Sequence, residues 1–182
     1  MGTLFVEIYN RFLGKITDDM YMELTPQDTL RDLRNLLVDA IPNFEFPRKN
    51  LTNYTMQTTT KSTSELLDTD FVVHQEDDSN TVEQSYFQEE LTSEEINILA
   101  TLMMIGWTQR QITSIENTRM KYSGSDFKFT SQANHLAKLL SLQTENQRQS
   151  LHLQRLYKRR RHDDSGRYES NWSVLGDISA LD

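Results

Sequence analysis

Histidine, cysteine and clustered acids are the side chains best suited to metal binding and proton transfer, so their spacing is informative. His74, His135, His152 and His162 never approach metal-ligand spacing with one another or with clustered acids. Cysteine is absent, which removes disulfides, thiolate nucleophiles and thiolate metal sites together. The acidic run Glu76-Asp77-Asp78 lacks the spaced ligands and closing Glu of a calcium loop. The 6 glycines are scattered singly, so no glycine-rich phosphate loop exists. Gly124-Ser125-Asp126 lacks the second glycine of a nucleophile elbow. The expectation is a protein that is not an enzyme and uses no cofactor and no metal.

The remaining chemistry is recognition. Arg155 and the run Lys158-Arg159-Arg160-Arg161 make a concentrated basic segment, suited to phosphates or to an acidic protein surface. The same cations also suit a helix C-terminus through the macrodipole. Charge is divided along the chain. Residues 1–90 hold 7 Lys/Arg against 17 Asp/Glu, residues 91–161 hold 11 against 5, and residues 162–182 hold 1 against 5. Such a division fits separate surfaces for separate partners, or one part folded onto another. With 36% hydrophobic residues, two small cores are expected rather than one large one. No apolar stretch approaches the roughly 20 residues of a membrane span, and no charged-then-apolar leader opens the chain. The expected address is the cytoplasm, with no membrane partner.

The elements follow from periodicity. Thr3 to Asn10 alternates, with Leu4, Val6 and Ile8 on one side and Phe5, Glu7 and Tyr9 on the other, as in a half-buried strand. Met20 to Leu24 reads as a second strand. Asp28 is the expected N-cap of a helix over about 28–41, in which Leu30, Leu33, Leu36, Leu37 and Ile41 recur at helical spacing. Pro42 ends that helix. Strands are expected over Leu51–Thr59 and Thr81–Phe87, with an irregular segment between them that carries Leu66-Leu67, Phe71-Val72-Val73 and an acidic turn at Glu76–Asn80.

That order, and Leu24-Thr25-Pro26-Gln27-Asp28-Thr29-Leu30-Arg31-Asp32-Leu33 in particular, resembles ubiquitin-like proteins over residues 3–86. The stretch Leu67 to Phe87 is similar to the closing part of that family. The resemblance implies a β-grasp module over residues 1–88 that folds alone and docks a protein through an exposed sheet face. Phe5, Tyr9, Tyr54 and Met56 are candidates for that face, or else ordinary core. The free Gly-Gly tail of conjugating members is missing, so covalent tagging is not implied.

Residues 91–161 read as helical. Thr92 and Glu95 form a capping box. The helix it opens should stop at Gly106, and Thr108 should cap a second one. Residues 92–120, above all Gly106-Trp107-Thr108-Gln109-Arg110-Gln111-Ile112-Thr113, resemble the helix-turn-helix of phage-repressor-type DNA-binding domains. The resemblance implies that Gln109, Arg110 and Thr113 face the major groove. A plain helical hairpin is the alternative. A long helix should run from Thr130 to about Arg161. Residues 162–182 form a linker and a short tail with Trp172, Leu175, Ile178 and Leu181 at helical spacing, suited to docking on a partner, on this chain or on another copy of it.

The sequence therefore points to an α+β class, an N-terminal ubiquitin-like β-grasp followed by an all-α region with a long basic helix. The expected function is that of an adaptor or assembly factor whose two parts each dock a macromolecule. The competing expectation is a DNA-binding regulator with a protein-sensing front domain.

Overall fold

The computed structural model describes residues 2–16, 20–76, 78–121, 130–162 and 168–169. Helices α1 (Phe5–Leu13), α2 (Met20–Glu23) and α3 (Pro26–Ala40) come first. Short strands follow: β1 (Tyr54–Thr55), β2 (Thr58–Ser62), β3 (Val72–Glu76), β4 (Ser79–Glu83) and β5 (Tyr86–Phe87). Two long helices, α4 (Ser93–Lys121) and α5 (Thr130–Arg159), precede a last pair, β6 (Arg161–His162) and β7 (Tyr168–Glu169). The chain is mixed α+β, with most strands in the first half and the long helices after them.

The first two expected strands are helices, and the N-terminal hairpin of a β-grasp is therefore not formed. The reason lies in α1. Its buried residues are Phe5, Val6, Ile8, Tyr9 and Phe12. Phe5, Ile8, Tyr9 and Phe12 are spaced i, i+3, i+4, i+7, the stripe of an amphipathic helix. The alternation of residues 3–10 hides that stripe because Phe12 lies beyond it. A remnant of strand pairing survives at its start: Leu4 bridges Tyr86, and the Phe5 amide donates to the Ser85 carbonyl at 2.9 Å. Gly2 lies so close to this edge that a Cβ there would stand 1.8 Å from the Phe87 carbonyl oxygen. Only glycine fits that approach.

The third helix is where the sequence places it. Thr25, not Asp28, is its N-cap: the Thr25 hydroxyl accepts from the Asp28 amide at 3.1 Å, and Pro26 fills the first helical position. The helix ends at Ala40, and Pro42 sits in the 3-10 turn Ile41–Asn43 that follows. Strand order in the larger sheet is β2-β4-β3, antiparallel throughout, with Thr60 opposite Thr81. β1 pairs β5 in a second, two-stranded sheet.

α4 is one helix through Gly106, so the expected turn is absent. The capping box opens it as read: the Thr92 amide donates to Glu95 Oε2 at 2.7 Å and the Glu95 amide to Thr92 Oγ1 at 3.3 Å. Thr108 does not cap a second helix. It is fully buried, and its hydroxyl donates to the Met104 carbonyl one turn back at 2.8 Å. Glycine inside a helix costs roughly 0.5–1 kcal/mol relative to alanine. Burial of Leu99, Met103 and Ile112 along the same helix outweighs it.

α1, α3 and α5 all pack on α4. One core cluster gathers Phe5, Ile8, Tyr9 and Phe12 of α1, Leu33, Leu36 and Leu37 of α3, Ile98, Leu99 and Met103 of α4, and Tyr157 of α5. Buried residues on both sides of residues 88–91 thus share one interior.

Candidate functional site

The residues singled out from the sequence are dispersed. Phe5 and Tyr9 are fully buried on α1, so neither belongs to an exposed sheet face. Phe5 stacks against Phe87 and Tyr54, with ring centroids 4.8 and 5.7 Å apart. Tyr54 is half-buried, and Met56 alone of the four is exposed. Burial pushes the Tyr9 phenol well above its ordinary pKa; the Glu83 charge adds to this and Arg34 opposes it. Trp172, Leu175, Ile178 and Leu181 lie outside the described residues.

Gln109, Arg110 and Thr113 do not line a groove-reading face. Arg110 pairs with Asp32 of α3 and lies 3.5 Å from Asp39. The Gln143 amide of α5 donates to Gln109. The Thr113 hydroxyl donates to the Gln109 carbonyl at 3.0 Å. Because α4 continues through Gly106, these side chains meet α3, α5 and their own helix instead of projecting from a separate recognition helix.

The basic run is also divided. The Lys158 ammonium stands 3.8 Å from the Phe46 ring centroid. Arg160 donates to Glu94 at 2.9 Å. Arg161 belongs to β6, opposite Glu169 of β7. Arg159 is exposed.

A different set of basic side chains is aligned. Arg148, His152, Arg155 and Arg159 are all exposed on α5 and are spaced i, i+4, i+7, i+11. That spacing puts them on one side of the helix, over about 16 Å of its length. Among the described residues none of the four is ion-paired. Arg155 and Arg159 are visible in the sequence as part of a basic segment. Arg148 is not, because Gln143–Ser150 reads as a polar centre without periodicity, and His152 is not, because it sits between Leu151 and Leu153 of an apolar stripe.

The inward side of α5 is unusually polar and holds the helix in place. Asn146, Ser150, Gln154 and Tyr157 are each 3% exposed or less. Gln154 accepts from the Glu45 amide at 2.8 Å and donates to Ser150 Oγ at 3.1 Å and the Asn43 carbonyl at 3.4 Å. The Tyr157 hydroxyl donates to buried Glu95. Burial first, then the bond and charge of Glu95, push the Tyr157 phenol above its ordinary range, against the pull of Arg48. Arg48 lies over the Tyr157 ring, 4.3 Å from its centroid, and donates to the Tyr157 carbonyl at 2.6 Å.

Between α3, α4 and α5 runs a groove of about 450 Å³. Leu36, Ala40, Leu102, Ile105 and Leu151 give it an apolar lining, and Gln109, Gln143, Gln147 and Gln154 add carboxamides. A smaller depression on α5 is lined by Gln147, Arg148, Leu151, His152 and Arg155. Gln147 and Leu151 line both, so the apolar groove opens onto the cationic stripe. Leu151 is 39% exposed, a large apolar side chain left at that junction.

Among the described residues no group of His, Asp and Glu is placed to hold a metal ion, and no helix is long and apolar enough to cross a membrane. No family model, curated protein or solved structure matches this chain.

Proposed function

We propose that this protein is a non-enzymatic adaptor or assembly factor that docks an acidic protein partner on the outer face of α5. The carrying observation is the line Arg148, His152, Arg155, Arg159, exposed and free of ion pairs among the described residues. A single exposed ion pair is worth only about 0.2–1 kcal/mol, so isolated surface arginines say little. A line of arginines at fixed spacing does more: it sets register on a partner and speeds encounter. The buried hydrogen bonds of Gln154 and Tyr157 support this reading, because they fix the helix rotation that points the stripe outward. The helix-turn-helix regulator has no such support, since Arg110 is paired with α3 and Gln109 with α5.

The test compares labelled polyglutamate with a random DNA duplex across a salt series, using the full chain and an Arg148→Glu/Arg155→Glu variant. Polyglutamate should bind at low salt, weaken as salt rises, and lose at least tenfold in affinity in the variant. Tighter binding to the duplex, lost in the same variant, would transfer the stripe to nucleic acid. Binding of neither probe would end the docking reading.

A further inference from the structure

We infer that the apolar groove between α3, α4 and α5 is a docking site for this chain's own segment 170–182. The inference deepens the reading of α5 as a docking face, because the segment would lie beside the cationic stripe and compete with a partner for it.

Three observations lead there. The first is direction. β6 and β7 pair antiparallel with Arg161 opposite Glu169. The chain that leaves α5 at Arg159 is therefore back beside its end at Glu169. The second is length. From the level of Arg161 back to Gln154, where the groove begins along α5, is about 10 Å at the helical rise. Three extended steps from Glu169 to Trp172 cover that distance. Residues 172–182 as a helix span about 15 Å, and the groove lining on α5 from Gln154 to Gln143 spans about 16 Å. The third is complementarity. Trp172, Leu175, Ile178 and Leu181 supply apolar side chains for a lining of Leu36, Ala40, Leu102, Ile105 and Leu151. Segment 170–182 carries Asp177 and Asp182 and no Lys or Arg, and one wall of the groove opens onto Arg148, His152 and Arg155. On the opposite wall Asp39 and Glu45 repel acids, which directs the acidic side of the segment toward α5.

A helix of this length is marginal alone in water, and Gly176 weakens it further. Docking in the groove would supply the stability such a helix lacks, and a contact of that size is reversible. Because the segment would lie beside the stripe, an acidic partner docked there would compete with it for the same arginines.

The absence of cysteine provides a clean test. In the full chain a nitroxide is attached at Ser179→Cys, and paramagnetic broadening of backbone amides is read in dilute solution. The amides of Gln143, Gln147 and Leu151 should lose most of their intensity and regain it on reduction of the label. Adding Trp172→Asp and Leu175→Asp should abolish the broadening and tighten polyglutamate binding several-fold. No broadening at the groove overturns the inference. Broadening seen only between a labelled chain and a separate isotope-enriched chain, and rising with concentration, assigns the groove to a second copy and equally overturns it. Polyglutamate shifts at Arg148 and Arg155 without groove broadening leave the docking face standing and remove only this inference. Loss of both signals removes both.

Discussion

At the scale of single residues, the strongest polar commitment is the pair Arg34–Glu83. The Glu83 side chain is fully buried and that of Arg34 is 24% exposed. Arg34 donates to both Glu83 oxygens and to Ser85 Oγ at 3.2 Å, tying α3 to the end of β4. Removing one partner of a buried pair costs about 3–5 kcal/mol, whereas replacing both with apolar residues is often neutral. The two ends differ here. Arg34→Ala strands a buried carboxylate and should approach that range in urea unfolding. Glu83→Ala should cost less, because the guanidinium can turn to solvent. The double variant Arg34→Met/Glu83→Leu should be more stable than Arg34→Ala. Equal and small losses for both single variants would show that water screens the pair. Nothing in the sequence marks these residues, since they lie 49 positions apart and each reads as an ordinary surface charge.

At the scale of elements, legibility follows the strength of the local signal. α3 is legible because its leucines recur over more than two turns, whereas its exact start is not, since both Thr25 and Asp28 are capping types and Thr25 is the one that caps. The start of α4 is legible because a capping box is a local hydrogen-bond pattern. α1 is not, because residues 3–10 satisfy both a twofold and a helical period and only Phe12 decides between them. The continuity of α4 is hidden because a glycine inside a helix and a glycine ending one look alike in sequence; packing from α3 decides. The stripe on α5 is half legible, since Arg148 sits in a polar stretch with no apolar marker of phase and His152 sits between the leucines of an apolar stripe. Gly106 separates the two readings of α4 experimentally. In a continuous helix a Cβ at this position would stand 3.4 Å from Leu36 Cδ2, an ordinary contact. Gly106→Ala should then stabilise the protein by about 0.4–1 kcal/mol through the unfolded state and helix propensity. A left-handed glycine at a helix-turn-helix would be strained by the same change, so a lowered midpoint in urea would restore the turn.

At the scale of the whole molecule, the division of charge at residue 90 is not a division of the core. The acidic first part and the basic second part meet directly: Arg110 of α4 pairs with Asp32 and Asp39 of α3, and Arg48 donates to the Tyr157 carbonyl at the end of α5. These contacts are partly exposed and contribute little to stability on their own. Apolar burial contributes far more. Ile98, Leu99, Ala100 and Met103 of α4 are fully buried, in one cluster with Phe5, Ile8, Tyr9 and Phe12 of α1 and Leu33, Leu36 and Leu37 of α3. Burial is worth about 25 cal/mol per Å² of apolar surface, and total stability is only about 5–15 kcal/mol, so uncovering the apolar faces of α1 and α3 is a large loss on that scale. Residues 1–90 should therefore not fold alone, contrary to what an independent N-terminal module implies. The measurement is the amide spectrum of the 1–90 fragment, expected to be poorly dispersed. Addition of a separate 91–169 fragment should restore dispersion, since it returns the missing face of the core. A well-dispersed spectrum from 1–90 by itself would mean that the sheet and α3 suffice, and that α4 only docks on a finished domain.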